Sequence, residues 1–129
     1  GKKLPLHGGG NSERSFIHIN DVADATYRAA LDGLPGSTYH ISTNKTISIR
    51  NLAMKICEQI KVNFSDLVKE SKDRLGKDQS YMLNSDKIRE DLGWQDNIRL
   101  EEGITSTIEW VDNNLVTLKN LPLEYIHKS

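Results

Sequence analysis

Two short segments about sixty residues apart hold the residues best equipped for chemistry. The first reads Gly8-Gly9-Gly10-Asn11-Ser12-Glu13-Arg14-Ser15-Phe16-Ile17-His18-Ile19-Asn20-Asp21-Val22, the second Asp73-Arg74-Leu75-Gly76-Lys77-Asp78. Each sets a fixed positive charge beside glycine in a turn and feeds a stretch patterned like a strand. A diphosphate suits that arrangement. Arginine presents a planar fork of donors that stays charged at any working pH and matches phosphate oxygens in pairs. Nearby glycine lets the backbone come close. Taken alone, either arginine also reads as an ordinary surface side chain.

The order and spacing of these motifs resemble the C-terminal, substrate-binding part of the extended short-chain dehydrogenase/reductases (the NAD-dependent epimerase/dehydratase family). The likeness is greatest to the dTDP-glucose 4,6-dehydratase and UDP-glucuronate decarboxylase branch. That family opens this part with G-K-x-L-P-x-[YH]-G-x-G-x-x-x-R-[SD]-[FW]-[IL]-[YH]-[VI]-x-D; residues 1–21 read GKKLPLHGGGNSERSFIHIND. It continues with D-R-[PL]-G-x-D, a strand, and a short helix ending in L-G-W; residues 73–94 read DRLGKDQSYMLNSDKIREDLGW. The resemblance runs to about Leu115, which implies a nucleotide-sugar-binding domain over residues 1–115 and a tail over 116–129.

The resemblance also implies roles. Arg14 and Arg74 fall where the family's arginines contact the diphosphate, Arg74 reaching its other side or the ribose. Lys77 stands where dehydratase relatives often carry histidine for a ribose or phosphate contact, and lysine is a point charge with different donor geometry. His7 matches a position that stacks on the nucleotide base; its competing reading is a solvated loop histidine. Asn44, with a one-residue gap allowed, matches an asparagine near the diphosphate, and a plain turn-forming asparagine competes with that. In such enzymes NAD takes a hydride from C4 of the sugar, and elimination, decarboxylation or rotation follows. That chemistry belongs to the cofactor and to the family's other half.

The family's catalytic residues have no counterpart here. Its cofactor site is a G-x-x-G-x-x-G turn between a strand and a helix. The triple glycine lacks the spacing and precedes a strand pattern, so the dinucleotide reading fails on context. Four residues after Tyr27, Tyr39, Tyr81 and Tyr125 come Leu31, Thr43, Ser85 and Ser129, so no Tyr-x-x-x-Lys occurs. The expectation is a substrate domain cut from a longer protein and inactive alone, with NAD bound by an absent N-terminal Rossmann domain. That domain, a nucleotide-diphosphate sugar and a second copy of the chain are the expected partners. The alternatives are a decarboxylase or epimerase substrate domain, or a stand-alone non-catalytic binding or partner module.

Positioning these residues requires a modest fold. At 129 residues the chain makes one domain and buries roughly two thirds of its unfolded surface. Phe16–Ile19, Thr38–Ser42 and Ser80–Leu83 read as strands, with a further strand near Leu67–Glu70 in competition with a short helix capped by Ser65-Asp66. Asn20-Asp21 should cap an alanine-rich helix over Val22–Asp32. Ser48 should cap the clearest helix, whose Ile49, Leu52, Ala53, Ile56 and Ile60 share one stripe. Ser85 should cap a short helix carrying Ile88 and Leu92, closed by Gly93 with Trp94 packed back on it. A final helix begins near Leu100, with Glu101 and Glu102 complementing its dipole and Leu100, Ile104, Ile108, Val111 and Leu115 as its buried stripe. Gly103 costs that helix about 1 kcal/mol relative to alanine. Trp94 and Trp110 read as core. The predicted class is α/β: a small mixed domain with short strands in one or two minor sheets and four or more helices. Its strand–helix units are too few and short for a doubly wound sheet.

Composition narrows the function. A net charge of −1 supplies no field for nucleic acid or an anionic membrane, and no apolar run has the length of a membrane span. The single cysteine, Cys57, excludes an internal disulfide and fits a reducing compartment, so the expected location is cytoplasmic. Cys57 sits beside a helix stripe as a packed thiol. His7, His18, His40 and His127 show no metal-ligand spacing, so no metal site is expected.

Overall fold

Apolar runs and caps decide where this chain turns from loop to helix, and the first decision falls at His18. The computed structural model describes residues 3–73, 76 and 78–122. Five short strands and six helices occur among them: β1 (Leu4–His7), β2 (Glu13–Arg14), α1 (Ile19–Asp32), β3 (Ile47–Ser48), α2 (Ile49–Ile60), α3 (Phe64–Leu67), β4 (Val68–Ser71), β5 (Ser80–Tyr81), α4 (Asp86–Leu92), α5 (Leu100–Asn113) and α6 (Leu115–Lys119). The strands form two minor sheets, β1-β4 and β3-β2-β5, as the sequence predicts for a small mixed α/β domain.

Phe16–Ile19 is not a strand. His18 is extended and caps α1, its ring accepting the Asn20 amide, so Ile19 is already in the helix. Asn20 and Asp21 are therefore not the cap. Asp21 is buried, and its carboxylate accepts the backbone N–H groups of Asn97 (3.2 Å) and Ile98 (3.0 Å), pinning the approach to α5. Thr38–Ser42 is not a strand either. No strand pairs with it among the described residues, and side chains meet its backbone instead: Ser42 O accepts from Ser85 Oγ and from Arg89.

Ser48 caps α2 as expected, accepting the Asn51 N–H at 3.2 Å. Lys61 closes it with a positive φ of 56°. Both readings of residues 64–71 hold in part: Asn63 precedes the single-turn α3, and β4 follows at once. Ser85 precedes α4 but makes no cap bond; Asn84 Oδ1 takes the Asp86 amide, and Ser85 Oγ turns inward to Ser42.

The core centres on Ala25, Ile88 and Trp94, with Ile17, Tyr39, Ile41 and Leu92 against it. Trp94 donates its indole N–H to Asp21 O at 3.0 Å, so a fully buried polar atom is satisfied. Trp110 is instead 57% exposed. It lies two residues past Ile108, about 200° around a helix and so on the far side from the apolar stripe.

The α2 stripe (Leu52, Ile56, Ile60) faces the α5 stripe (Ile104, Ile108, Val111) across an apolar groove of about 700 Å³, floored by residues 16–19. Lys55 Nζ and Glu101 Oε1, 2.8 Å apart, latch its rim. A direct hydrogen bond and the paired charge raise the pKa of Lys55 and lower that of Glu101. No helix among the described residues is long and apolar enough to cross a membrane.

Candidate functional site

The parallel pairing of β2 with β5 sets the Arg14 strand beside the residues that follow the second motif. Glu13 lies opposite Ser80 and Arg14 opposite Tyr81, while β3 pairs antiparallel on the other flank, placing Ile47 opposite Arg14. The Arg14 guanidinium donates to Glu13 O (2.6 Å) and Asp78 O (3.0 Å), with a long contact to Gln79 O (3.5 Å). Nη1 serves Glu13 and Gln79, and Nη2 serves Asp78. The Nε–H and one Nη2–H have no partner among the described residues, and two donors on adjacent nitrogens are what a bidentate phosphate contact uses.

The triple glycine shapes the opposite flank. Gly8, Gly9 and Gly10 all have positive φ. A Cβ on Gly8 would fall 2.3 Å from Cγ of Asp73, and one on Gly10 would fall 2.9 Å from the backbone nitrogen of Arg50. The close approach that glycine permits is therefore made to the chain itself. Arg50 reinforces the wrap, donating from Nε to Gly9 O at 2.8 Å and pairing with Glu70. With its surface packed against Asp73 and Arg50, and with strand β2 following, the glycine run does not fit a dinucleotide.

His7 ends β1, where its Nδ1 lies 3.1 Å from Lys72 O and 2.9 Å from Ser71 Oγ. Three contacts thus fall at the two ends of the second motif: His7 on Lys72, Gly8 against Asp73, and Arg14 on Asp78. Arg74 and Lys77 lie outside the described residues. Asn44 sits on the loop entering β3, three residues before the register partner of Arg14, and its side chain is exposed. The adjoining Thr46 donates to Glu13 Oε2 at 3.3 Å. Arg14 and Asn44 therefore lie on β2 and on the loop into its partner β3, whereas His7 ends a strand of the other sheet, and none of them lines the apolar groove.

Sequence reasoning gave no site role to Tyr81, the 57% exposed neighbour of Arg14. The signal lay in its place in the strand pattern that follows the second motif. It also missed Arg89 and Asp96, which hold the Asn44 loop from below. Arg89 Nη2 bonds Ser42 O (3.0 Å) and Asp96 Oδ1 (2.6 Å) and its guanidinium lies 4.8 Å from the Trp94 ring. Partial burial pushes the Asp96 carboxyl up, but hydrogen bonds from Thr43 and Arg89 outweigh that and hold it below its ordinary value.

The family model described as GDP-mannose 4,6 dehydratase matches residues 1–107. The chain belongs to that family. The dTDP-glucose 4,6-dehydratase of Escherichia coli is 35% identical over 124 residues, covering 88% of this chain and 34% of its own. The dTDP-D-glucose 4,6-dehydratase of Mus musculus is 36% identical, covering 92% and 35%. Among solved structures, Streptomyces venezuelae DesIV, a dTDP-glucose 4,6-dehydratase with NAD and TYD bound, superposes with a TM-score of 0.83 at 27% identity, over 89% of this chain and 35% of that one. Bordetella bronchiseptica WbmF, in complex with NAD+ and UDP, superposes with a TM-score of 0.73 at 32% identity, over 91% and 34%. This member of the GDP-mannose 4,6-dehydratase family spans about a third of the length of the relatives it matches. The fold expected of an extended short-chain dehydrogenase/reductase substrate domain is the fold found.

Proposed function

We propose that this chain is the nucleotide-diphosphate grip of an NAD-dependent nucleotide-sugar 4,6-dehydratase of the dTDP-glucose type, working in the cytoplasm. Residues 1–115 form the binding unit and 116–129 its tail. The observation that carries this reading is Arg14, held by the carbonyl oxygens of Glu13 and of Asp78, the last residue of the second motif. The relatives support it, since DesIV holds NAD and WbmF holds NAD+ with UDP.

Arg14 offers its remaining donors to one phosphate while Arg74 and Lys77 neutralise the other. His7 stacks on the base, and Asn44 donates to the diphosphate. Fixing the nucleotide in this way converts an encounter into an oriented complex, which can supply several kcal/mol of a barrier. Binding energy from the unreactive nucleotide is then used at the sugar carbon. NAD, held by the part of the protein outside this chain, supplies the hydride acceptor.

Calorimetry on the complete protein with UDP and dTDP tests this. Arg14→Ala and Arg74→Ala should each weaken binding by about 1.5–3 kcal/mol, the scale of a charge-assisted hydrogen bond. Unchanged affinity in both variants would defeat the assignment.

A further inference from the structure

We propose that Arg89 and Asp96 are positioning residues for the loop that presents Asn44, tuning nucleotide-diphosphate binding without touching the ligand. This rests on the function proposed above.

The loop from Ser42 to Lys45 has no strand beside it among the described residues, so side chains fix its shape. Ser42 O accepts two hydrogen bonds, from Ser85 Oγ at 2.9 Å and from Arg89 Nη2 at 3.0 Å. Arg89 Nε reaches Ser85 Oγ at 3.2 Å, which closes a triangle of Ser42, Ser85 and Arg89. Arg89 also holds Asp96 Oδ1 at 2.6 Å. The Thr43 hydroxyl helps to favour the charged form of the same carboxylate, and Thr43 Oγ1 accepts the Lys45 N–H at 3.3 Å. Asn44 is therefore spanned by a bond from the residue after it to the side chain of the residue before it, next to the Ser42 carbonyl that Arg89 holds.

Burial separates anchor from tip. Ser42, Thr43 and Ser85 are buried, whereas Asn44 is exposed, and no hydrogen bond joins the Asn44 side chain to the described residues. An exposed, short amide on a loop fixed at both shoulders loses little conformational entropy on binding. Arg89 and Asp96 are each about four-fifths buried, and Arg89 stacks over the fully buried Trp94. The pair thus couples the Asn44 loop to the rigid core. In such a setting a planar guanidinium with several fixed donors is not replaceable by lysine.

A double-mutant cycle on the complete protein, titrated calorimetrically with UDP and with dTDP, separates positioning from general stability. Asn44→Ala and Asp96→Asn should each weaken binding roughly tenfold, and the double variant should bind no more weakly than Asn44→Ala alone. Thr43→Val should repeat the loss and Thr43→Ser should retain wild-type affinity, so the question stays answerable if Asp96→Asn does not fold. Unchanged affinity in Asp96→Asn or in Asn44→Ala overturns the proposal, as does a loss that adds in full to that of Asn44→Ala. Arg14→Ala and Arg74→Ala in the same titration tell the two failures apart. If either weakens binding, only the positioning role falls; if neither does, the nucleotide site falls with it.

Discussion

His18 and Ser106 join the start of α1 to the middle of α5. The imidazole Nδ1 accepts the Asn20 amide at 3.2 Å, so the proton sits on Nε2, which donates to Ser106 Oγ at 3.0 Å. Ser106 Oγ in turn donates to Gly103 O at 3.0 Å. A Cβ at Gly103 would meet the ring at 3.4 Å, an ordinary van der Waals contact, so the ring packs directly on the α5 backbone there. His18→Ala should lower stability by about 0.5–2 kcal/mol, the usual range for losing a cap, read as a lower urea midpoint. An unchanged midpoint would show that the ring's two bonds contribute nothing.

The glycines of the first motif should differ sharply from one elsewhere. Gly10→Ala combines a φ of +71° with a Cβ 2.7 Å from Leu6 Cδ1 and 2.9 Å from the Arg50 nitrogen. Gly36→Ala has a similar φ of +79° but nothing within 4 Å. The second change should cost only the backbone strain, about 1–2 kcal/mol. The first should cost visibly more, because backbone must move. Equal thermal shifts for the two variants would refute the tight wrap around Arg50.

Asp96 sets an acid limit. Its carboxyl is held below the ordinary value of 3.8 in the folded chain. A depressed acid contributes stability above its unfolded pKa, and that contribution disappears as pH falls through the folded value. Urea midpoints followed from about pH 6 down to pH 2 should therefore decline, and Asp96→Asn should decline less steeply below about pH 4. Parallel curves would mean that Arg89 and Thr43 do not favour the charged form.

An apolar stripe on α1 predicts association of the isolated chain. Ile19, Tyr27, Leu31 and Leu34 are 68%, 64%, 63% and 59% exposed along and just past that helix, a larger contiguous patch than scattered surface residues make. Sedimentation velocity of the isolated chain should show concentration-dependent association, relieved by combining Tyr27→Lys with Leu31→Glu. One monomeric species across a wide concentration range would contradict it.

Helices and the packed tryptophan were the most legible parts of the sequence. Ser48, Gly93 and the α5 stripe from Leu100 to Val111 are local signals with local causes, so they carried over; Leu115 does not extend the stripe but starts α6, 39% exposed. The strands were only partly legible because their partners decide them: Leu67–Glu70 and Ser80–Leu83 reappear shifted or shortened as β4 and β5. Phe16–Ile19 and Thr38–Ser42 have strand-like composition, yet one became a helix start and the other a side-chain-braced loop. Conversely, Leu4–His7 gained strand form only through Val68–Ser71, far along the chain. Trp110 was misread because aromatic character was weighed above its angle on the helix. At the candidate site, motif resemblance singles out Arg14 and Asn44 for attention, but nothing local announces that Arg89 and Asp96 meet beneath the Asn44 loop.

Synthesis order gives the β2–β5 pairing a temporal meaning. Arg14 leaves the ribosome 64 residues ahead of Asp78, whose carbonyl steadies it. Long-range closures of this kind are made late, so a nascent chain halted before Ser80 carries the arginine on a strand with β3 as its single neighbour. The Arg14 contacts are thus completed only after α1 and α2 have emerged.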